Sequence, residues 1–193
     1  KVAFAAPLKV MCERWWGGAG IEEQDREKEM QFHISFEAIL IGMWEVGISA
    51  KLEQQFINRV VEVFSQYTTQ ANSKSITVKC SYRKILQLVG TDVCRYFADG
   101  IWVDAAKDKI SATLSAGRSV IITDLRFADE ALMLSKFNAL VVVVVRDSCY
   151  TTNRADAHTS EKGIPVEYVS CTIENNGSLE DYKRKVLNLI GGE

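Results

Sequence analysis

The sequence predicts an α/β protein built on a parallel sheet, and two short segments of its C-terminal half carry that prediction. Ser119–Thr123 (SVIIT) and Leu140–Val145 (LVVVVV) are apolar and β-branched nearly throughout, the pattern of strands covered on both faces. Ala128–Lys136 between them reads as a helix, so the three make a βαβ unit, whose strands run parallel. A third apolar run, Tyr168–Ile173, ends in Glu174-Asn175-Asn176-Gly177, and the amphipathic stretch Leu179–Ile190 follows as a helix capped by Ser178.

The N-terminal half reads as mostly helical. Residues 1–5 form a short strand, Pro7 suits the first turn of a helix running through Leu8, Val10, Met11 and Trp15, and Gly17, Gly18 and Gly20 stop it. The charge-dense residues 21–32 read as a solvated helix face or loop. From Ile34 to Tyr67 apolar residues are too frequent for strict alternation, which predicts two helices packed as a hairpin, and the polar Thr68–Ser75 predicts a turn. A helix from about Ser81 to Phe97 would bury Ile85, Leu88, Val89 and Val93, with Gly90 inside or breaking it. Another spans about Trp102–Ser115 and ends at Gly117.

With 193 residues, 47% hydrophobic and 25% charged, the chain has the composition of an ordinary globular protein, and one domain is expected. A net charge of −2 argues against nucleic-acid polymers and anionic membrane surfaces as partners. The five cysteines stand singly, without a C-x-x-C pair, which fits neither a disulfide framework nor a zinc site and points to a reducing compartment. Ala139–Val145, the longest strongly apolar run, is too short to span a bilayer, so a soluble protein is expected. The chain opens on Lys1 rather than Met, directly into the apolar Val2–Ala6, and is read as a fragment.

In a parallel sheet the loops leaving the carboxyl ends of strands build the binding site, so the residues after Ala5, Thr123 and Val145 should meet. They offer Lys9; Asp124 and Arg126, with Glu130 one helical turn on; and Arg146 with Asp147. Carboxylates, Lys and Arg gathered in this way suit a phosphorylated ligand. Equally, Asp124 could cap the helix that follows it. Arg83, Gln87 and Thr91 recur at helical spacing, as on a polar helix face, and Trp102 suits a core or a stacking platform. His33 and His158 stand alone, and no metal site is expected. The phosphate-holding string G-x-x-x-x-G-K-[ST] does not occur; Gly17-Gly18-Ala19-Gly20 is followed by acidic residues and reads as a turn.

Several separated motifs, in order, resemble the deoxynucleoside monophosphate kinases of bacteriophages and large viruses. They are Phe4-Ala5-Ala6-Pro7-Leu8-Lys9, Arg83 through Arg95 (RKILQLVGTDVCR), Trp102, Ile121 through Glu130 (IITDLRFADE), Val145-Arg146, Asp156 through Glu161 (DAHTSE) and Asn175 through Leu179 (NNGSL). The resemblance covers residues 1–16 and about 80–192. It implies a P-loop-kinase-like three-layer α/β/α fold with a parallel sheet: a single domain 1–193, with a core of 1–20 and 76–193 and a helical insert at about 21–75. It further implies phosphoryl transfer from ATP, with Mg²⁺, to a deoxynucleoside monophosphate (dNMP), by positioning and charge neutralisation rather than a nucleophilic side chain.

Carried over by motif, Lys9, Arg83 and Arg95 would bind or neutralise phosphate. Gly90 and Thr91 would approach the nucleotide, Trp102 would pack by base or sugar, and Asp124, Arg126 and Glu130 would line the monophosphate site. His158 and Glu161 fall in a matching motif without an assigned role. A family member would carry about thirty residues of strand, P-loop and helix ahead of Lys1, the size of one such unit. The apolar insert around Ile39–Trp44 offers a surface for a protein partner, such as a second copy or virion proteins. The resemblance places the protein in the cytoplasm of an infected cell or in the virus particle. Two other readings stand beside the kinase: an inactive kinase-fold protein with a structural or assembly role, and a kinase of another small phosphorylated acceptor such as phosphomevalonate.

Overall fold

The computed structural model describes residues 1–17, 21–22, 25–147 and 163–191, so His158 and Glu161 lie outside the described residues. The chain divides into two compact units, Lys1–Asp124 and Leu125–Glu193. The α/β class expected from the sequence holds, with helices throughout and a parallel pair of strands.

The first unit opens with α1 (Ala6–Trp15), which starts at Pro7 as expected and ends before Gly17, whose φ of +63° suits glycine. The strand expected over residues 1–5 and its partner over Ser119–Thr123 shrink to one parallel bridge, Val2 to Ile122. The physical reason is the early turn at Phe4–Ala5 into α1, which carries the chain away before a ladder can extend.

The insert departs most from expectation. Part of the charge-dense stretch is strand β1 (Glu29–Ser35), and the polar segment read as a turn contains β2 (Thr68–Ala71) and leads into β3 (Ser75–Ser81). The three form an antiparallel sheet in the order β1-β3-β2. Its register pairs Met30 with Cys80, Phe32 with Val78 and Ile34 with Ile76, so one face is apolar, while His33 opposite Thr77 shares a 3.2 Å hydrogen bond on the other. Between β1 and β2 lie α2 (Phe36–Glu45) and α3 (Glu53–Phe64), the two expected helices. The apolar run of α2 is accounted for by packing: Ile39, Gly42 and Met43 are buried, and Trp44 is 47% exposed.

The helix expected over 81–97 forms, with a local change of pitch. Ser81 Oγ accepts from Lys84 N at 3.2 Å to cap α4 (Tyr82–Gln87); a π-helix follows at Leu88–Cys94, then α5 (Arg95–Phe97). The long α6 (Ile101–Ser115) stops at Gly117, with φ +68°, as expected. The core unites Met11, Cys12 and Trp15 of α1 with Ile39, Phe56, Val60, Phe64, Ile85, Val89 and Val93.

The second unit holds α7 (Ala128–Ser135), β4 (Val142–Val145), β5 (Cys171–Glu174) and α8 (Leu179–Leu189). The strands pair in parallel, Val142 beside Cys171 through Val145 beside Glu174. Coverage of β4 on both faces, expected from its sequence, is incomplete: Val144 is 47% exposed. Ser178 caps α8 as expected, its Oγ accepting from Asp181 N at 3.1 Å while Asp181 Oδ2 accepts from Ser178 N at 3.3 Å. The Ser178 hydroxyl, which donates to Asp181 Oδ2 at 2.8 Å, followed by Arg184 and the Ser178 amide, holds the Asp181 carboxyl below its usual range.

Burial also sets the reactivity of the thiols. It pushes those of Cys12 and Cys94 far above the ordinary range and that of Cys80 up to about 11, whereas Cys171 is only half-buried. The thiolate is the nucleophile, so iodoacetamide at neutral pH should label Cys171 well before the other three, as read by peptide mapping of the folded protein. Equal labelling of all four would contradict this packing.

Candidate functional site

The first unit assembles one polar neighbourhood around the start of α1. Val2 N–H donates to the Ile121 carbonyl at 3.1 Å, so the two chain segments leave this point side by side. Two residues beyond Ile122, the Asp124 carboxylate reaches across and accepts from two successive backbone donors, Phe4 N at 3.2 Å and Ala5 N at 2.9 Å. A carboxylate with two acceptor oxygens suits paired amides, and the result fixes the segment that enters α1. Lys9 N then donates to the Ala5 carbonyl at 3.0 Å, which places the half-buried Lys9 one turn into the helix. Asp124, directly after Thr123, thus meets Phe4 and Ala5, whereas Arg146 and Asp147, the third strand end, belong to the second unit.

Next to Lys9, Leu8 packs on the π-helix. A Cβ built on Gly90 would lie 2.6 Å from Leu8 Cδ2, so a glycine here allows the close approach of α1. The Gly90 carbonyl accepts from Trp102 Nε1 at 3.0 Å. Trp102 is 4% exposed, which makes it a core residue whose indole N–H sets the π-helix in place. Thus Leu8, Gly90 and Trp102, from three separate helices, converge. A π-turn within a helix is a local distortion that recurs at functional sites, and here it coincides with Gly90, Thr91 and Asp92.

The other two candidate basic residues of this unit, Arg83 and Arg95, have acidic or carbonyl neighbours. Arg83, at the start of α4, donates its backbone N–H to the Arg26 carbonyl at 3.1 Å, and its Nη1 lies 3.0 Å from Glu27 Oε1 with the side chain 47% exposed. The Arg95 side chain is 8% exposed; its Nη1 donates to the Asp99 carbonyl at 3.0 Å and lies 3.7 Å from Asp99 Oδ1.

Arg126 and Glu130 belong to the second unit. Glu130 is 2% exposed, and its Oε2 accepts from Arg126 N at 2.9 Å and Phe127 N at 3.2 Å, which holds the first turn of α7 from within. The helix cap offered by the sequence for Asp124 is thus supplied by Glu130 instead, three residues into the helix it serves. The Arg126 side chain is exposed.

Sequence reasoning missed Arg59. From α3 its Nε donates to the Asp92 carbonyl at 2.9 Å, its Nη1 lies 3.0 Å from Glu62 Oε2, and its guanidinium carbon sits 4.6 Å from the centre of the Tyr96 ring. One arginine in an amphipathic helix carries no sequence signal of such a contact, because its partner is a main-chain carbonyl.

The described residues hold no group of three His, Cys, Asp or Glu side chains placed to bind a metal ion, and the 193 residues contain no G-x-x-x-x-G-K-[ST] string. Among the described residues no helix is long and apolar enough to cross a membrane.

A model of the family described as "Deoxynucleotide monophosphate kinase" matches residues 8–186. The chain is 31% identical over 112 residues to the deoxynucleotide monophosphate kinase of Escherichia phage RB69, a match covering 57% of this chain and 45% of that protein. To the deoxynucleoside-5′-monophosphate kinase of Escherichia phage T5 it is 33% identical over 115 residues, 56% of this chain and 45% of the relative. To the deoxynucleotide monophosphate kinase of Enterobacteria phage T4 it is 30% identical over 129 residues, 66% and 52%. The chain thus spans about half the length of the curated relatives it matches. The family match runs through both units, from Leu8 in α1 to Val186 in α8, and the chain belongs to the deoxynucleotide monophosphate kinase family.

Proposed function

We propose that this chain binds a deoxynucleoside 5′-monophosphate as the acceptor in phosphoryl transfer from ATP. The observation that carries the reading is the convergence of Leu8, Gly90 and Trp102 in the first unit, one from each of three segments on which the family resemblance rests, with Lys9 and Thr91 adjacent in sequence to the first two. Among the candidate cations of the first unit, Lys9 and Arg83 are accessible enough to meet a phosphate, and Arg126 of the second unit is exposed. Thr91 is half-buried beside Gly90 and supplies a hydroxyl.

Asp124 serves this site through backbone by setting the entry to α1; Glu130 does the same for α7 within the second unit. Trp102 serves it through the Gly90 carbonyl, and Arg95, largely buried, through the Asp99 turn. Family chemistry would supply ATP with Mg²⁺ as phosphoryl donor, which accounts for a site built from positioning groups without a nucleophilic side chain. No step through the donor is derived from these residues.

Calorimetric titration of the folded chain with dGMP and dTMP tests the acceptor site directly. Saturable binding of either supports the reading; a folded chain that binds neither overturns it, and binding of phosphomevalonate in their place would reassign the acceptor. Arg126→Ala should weaken dNMP binding by about ten- to a hundredfold, the scale of a charge-assisted hydrogen bond, with the thermal midpoint unchanged because the side chain is exposed. Undiminished affinity would remove Arg126 from the site.

A further inference from the structure

We infer that Arg59 is a positioning residue for the acceptor nucleotide, acting through the π-helix that carries Gly90 and Thr91. This rests on the acceptor-site reading above and assigns a part in it to the insert.

A π-helix bonds each carbonyl to a donor five residues on, so the change of pitch on either side disturbs the regular sequence of carbonyl partners. In Leu88–Cys94, two carbonyls receive donors from outside the helix: Gly90 from Trp102 Nε1 at 3.0 Å and Asp92 from Arg59 Nε at 2.9 Å. These two carbonyls flank Thr91. The segment is thus held at two points by side chains of other helices, one on each side of the residue offered to the nucleotide.

The Arg59 contact is itself rigidly set. Glu62, one turn along α3, lies 3.0 Å from Nη1, and the guanidinium sits over the Tyr96 ring, 4.6 Å from its centre. Phe56, one turn earlier, meets Phe97 with ring centroids 5.2 Å apart. Consequently α3 grips the π-helix and the turn beyond it at two successive levels, one apolar and one polar. The Phe56–Phe97 pair supplies cohesion. The Arg59 bond fixes the rotation and pitch of the backbone at Asp92, which the ring pair does not. A directed bond from a planar guanidinium is suited to that task, since its fork geometry leaves little freedom once the ring and the carboxylate hold it.

The test compares Arg59→Met, which keeps an apolar stem and removes the donor together with the charge over Tyr96, with Arg59→Lys, which keeps the charge, and with Glu62→Gln, which leaves the Nε bond in place. Affinity for dGMP and dTMP is read by calorimetry and amide exchange of residues 90–94 by mass spectrometry, with folding checked by circular dichroism. Arg59→Met should weaken dNMP binding about tenfold and speed exchange in the π-helix, the scale expected for one hydrogen bond from a charged donor. Arg59→Lys should recover part of both, and Glu62→Gln should behave like the parent. Parent-like affinity in a folded Arg59→Met overturns the inference while leaving the acceptor site standing. Absence of dNMP binding by the parent chain removes the acceptor site, and this role with it.

Discussion

Asp124→Ala should lower the stability of the first unit by about 2–4 kcal/mol and weaken dNMP binding at the same time. The carboxylate accepts from Phe4 N at 3.2 Å and Ala5 N at 2.9 Å, and Phe4 is 2% exposed. Removing it leaves two amide donors without their acceptor in a segment that has little access to water. Bonds to a charged group are worth about 1.5–3 kcal/mol each, and an unsatisfied buried donor costs about 1–3 kcal/mol. The affinity follows because the same segment leads one turn later to Lys9, whose position depends on the entry angle of α1. Asp124→Asn keeps the shape and one acceptor oxygen but turns an amide group toward the second donor, and should lie between the two. Urea denaturation gives the stability and calorimetry the affinity. A variant of undiminished stability that no longer binds dNMP would show instead that the carboxylate acts on the ligand itself.

Gly42→Val should be the most damaging change in the insert. A Cβ at position 42 would lie 2.6 Å from Met11 Cγ and 2.7 Å from Trp15 Nε1, both residues of α1 that are 1% exposed. Overlap with one flexible side chain can be relieved by a rotamer change. Overlap with two buried ones, one an indole, forces the helices apart. Overpacking of this kind costs about 3 kcal/mol, which corresponds to a midpoint lowered by roughly 6–12 °C for a protein of this size. Alanine at the same position tests the balance more finely. Its helix propensity is favourable by about 1 kcal/mol relative to glycine, yet the first methyl already meets both neighbours, so a net loss is expected. A Gly42→Ala protein more stable than the parent in thermal melts would show that α1 and α2 can separate without strain.

How much of this was visible beforehand differs from element to element, for physical reasons. Caps and stops were plain. Pro7 opening α1, Gly17 and Gly117 ending helices, and Ser178 heading α8 are set by backbone chemistry within a few residues, and all four stand where expected. Strand β1 carried a visible signal that its surroundings hid. Met30, Phe32 and Ile34 alternate with Gln31, His33 and Ser35, a period of two, directly behind a run of charges. Strand β2 was harder, since Thr68, Thr69 and Gln70 have a turn's composition and become sheet only when paired to β3. Helix 82–97 was read correctly as one segment, yet its π-turn left no mark in the pattern of apolar residues.

The candidate site divides along the same line. The residue types at Lys9, Asp124 and Arg126 suited a phosphorylated ligand, Gly90 and Trp102 were added by the family resemblance, and the α/β class and the family followed from motifs in the chain alone. Which of those residues touch one another was decided by tertiary packing. Asp124 turned out to bind main-chain amides near the other end of its unit, Trp102 to serve a carbonyl rather than an open platform, and Arg59 to reach Asp92 from a helix that carried no motif. Local signals arise from backbone conformations and side-chain periods that a short window contains. Hydrogen bonds from a side chain to a distant main-chain group do not, because every residue carries the same amide and carbonyl, and only the folded path of the chain determines which of them a given side chain meets.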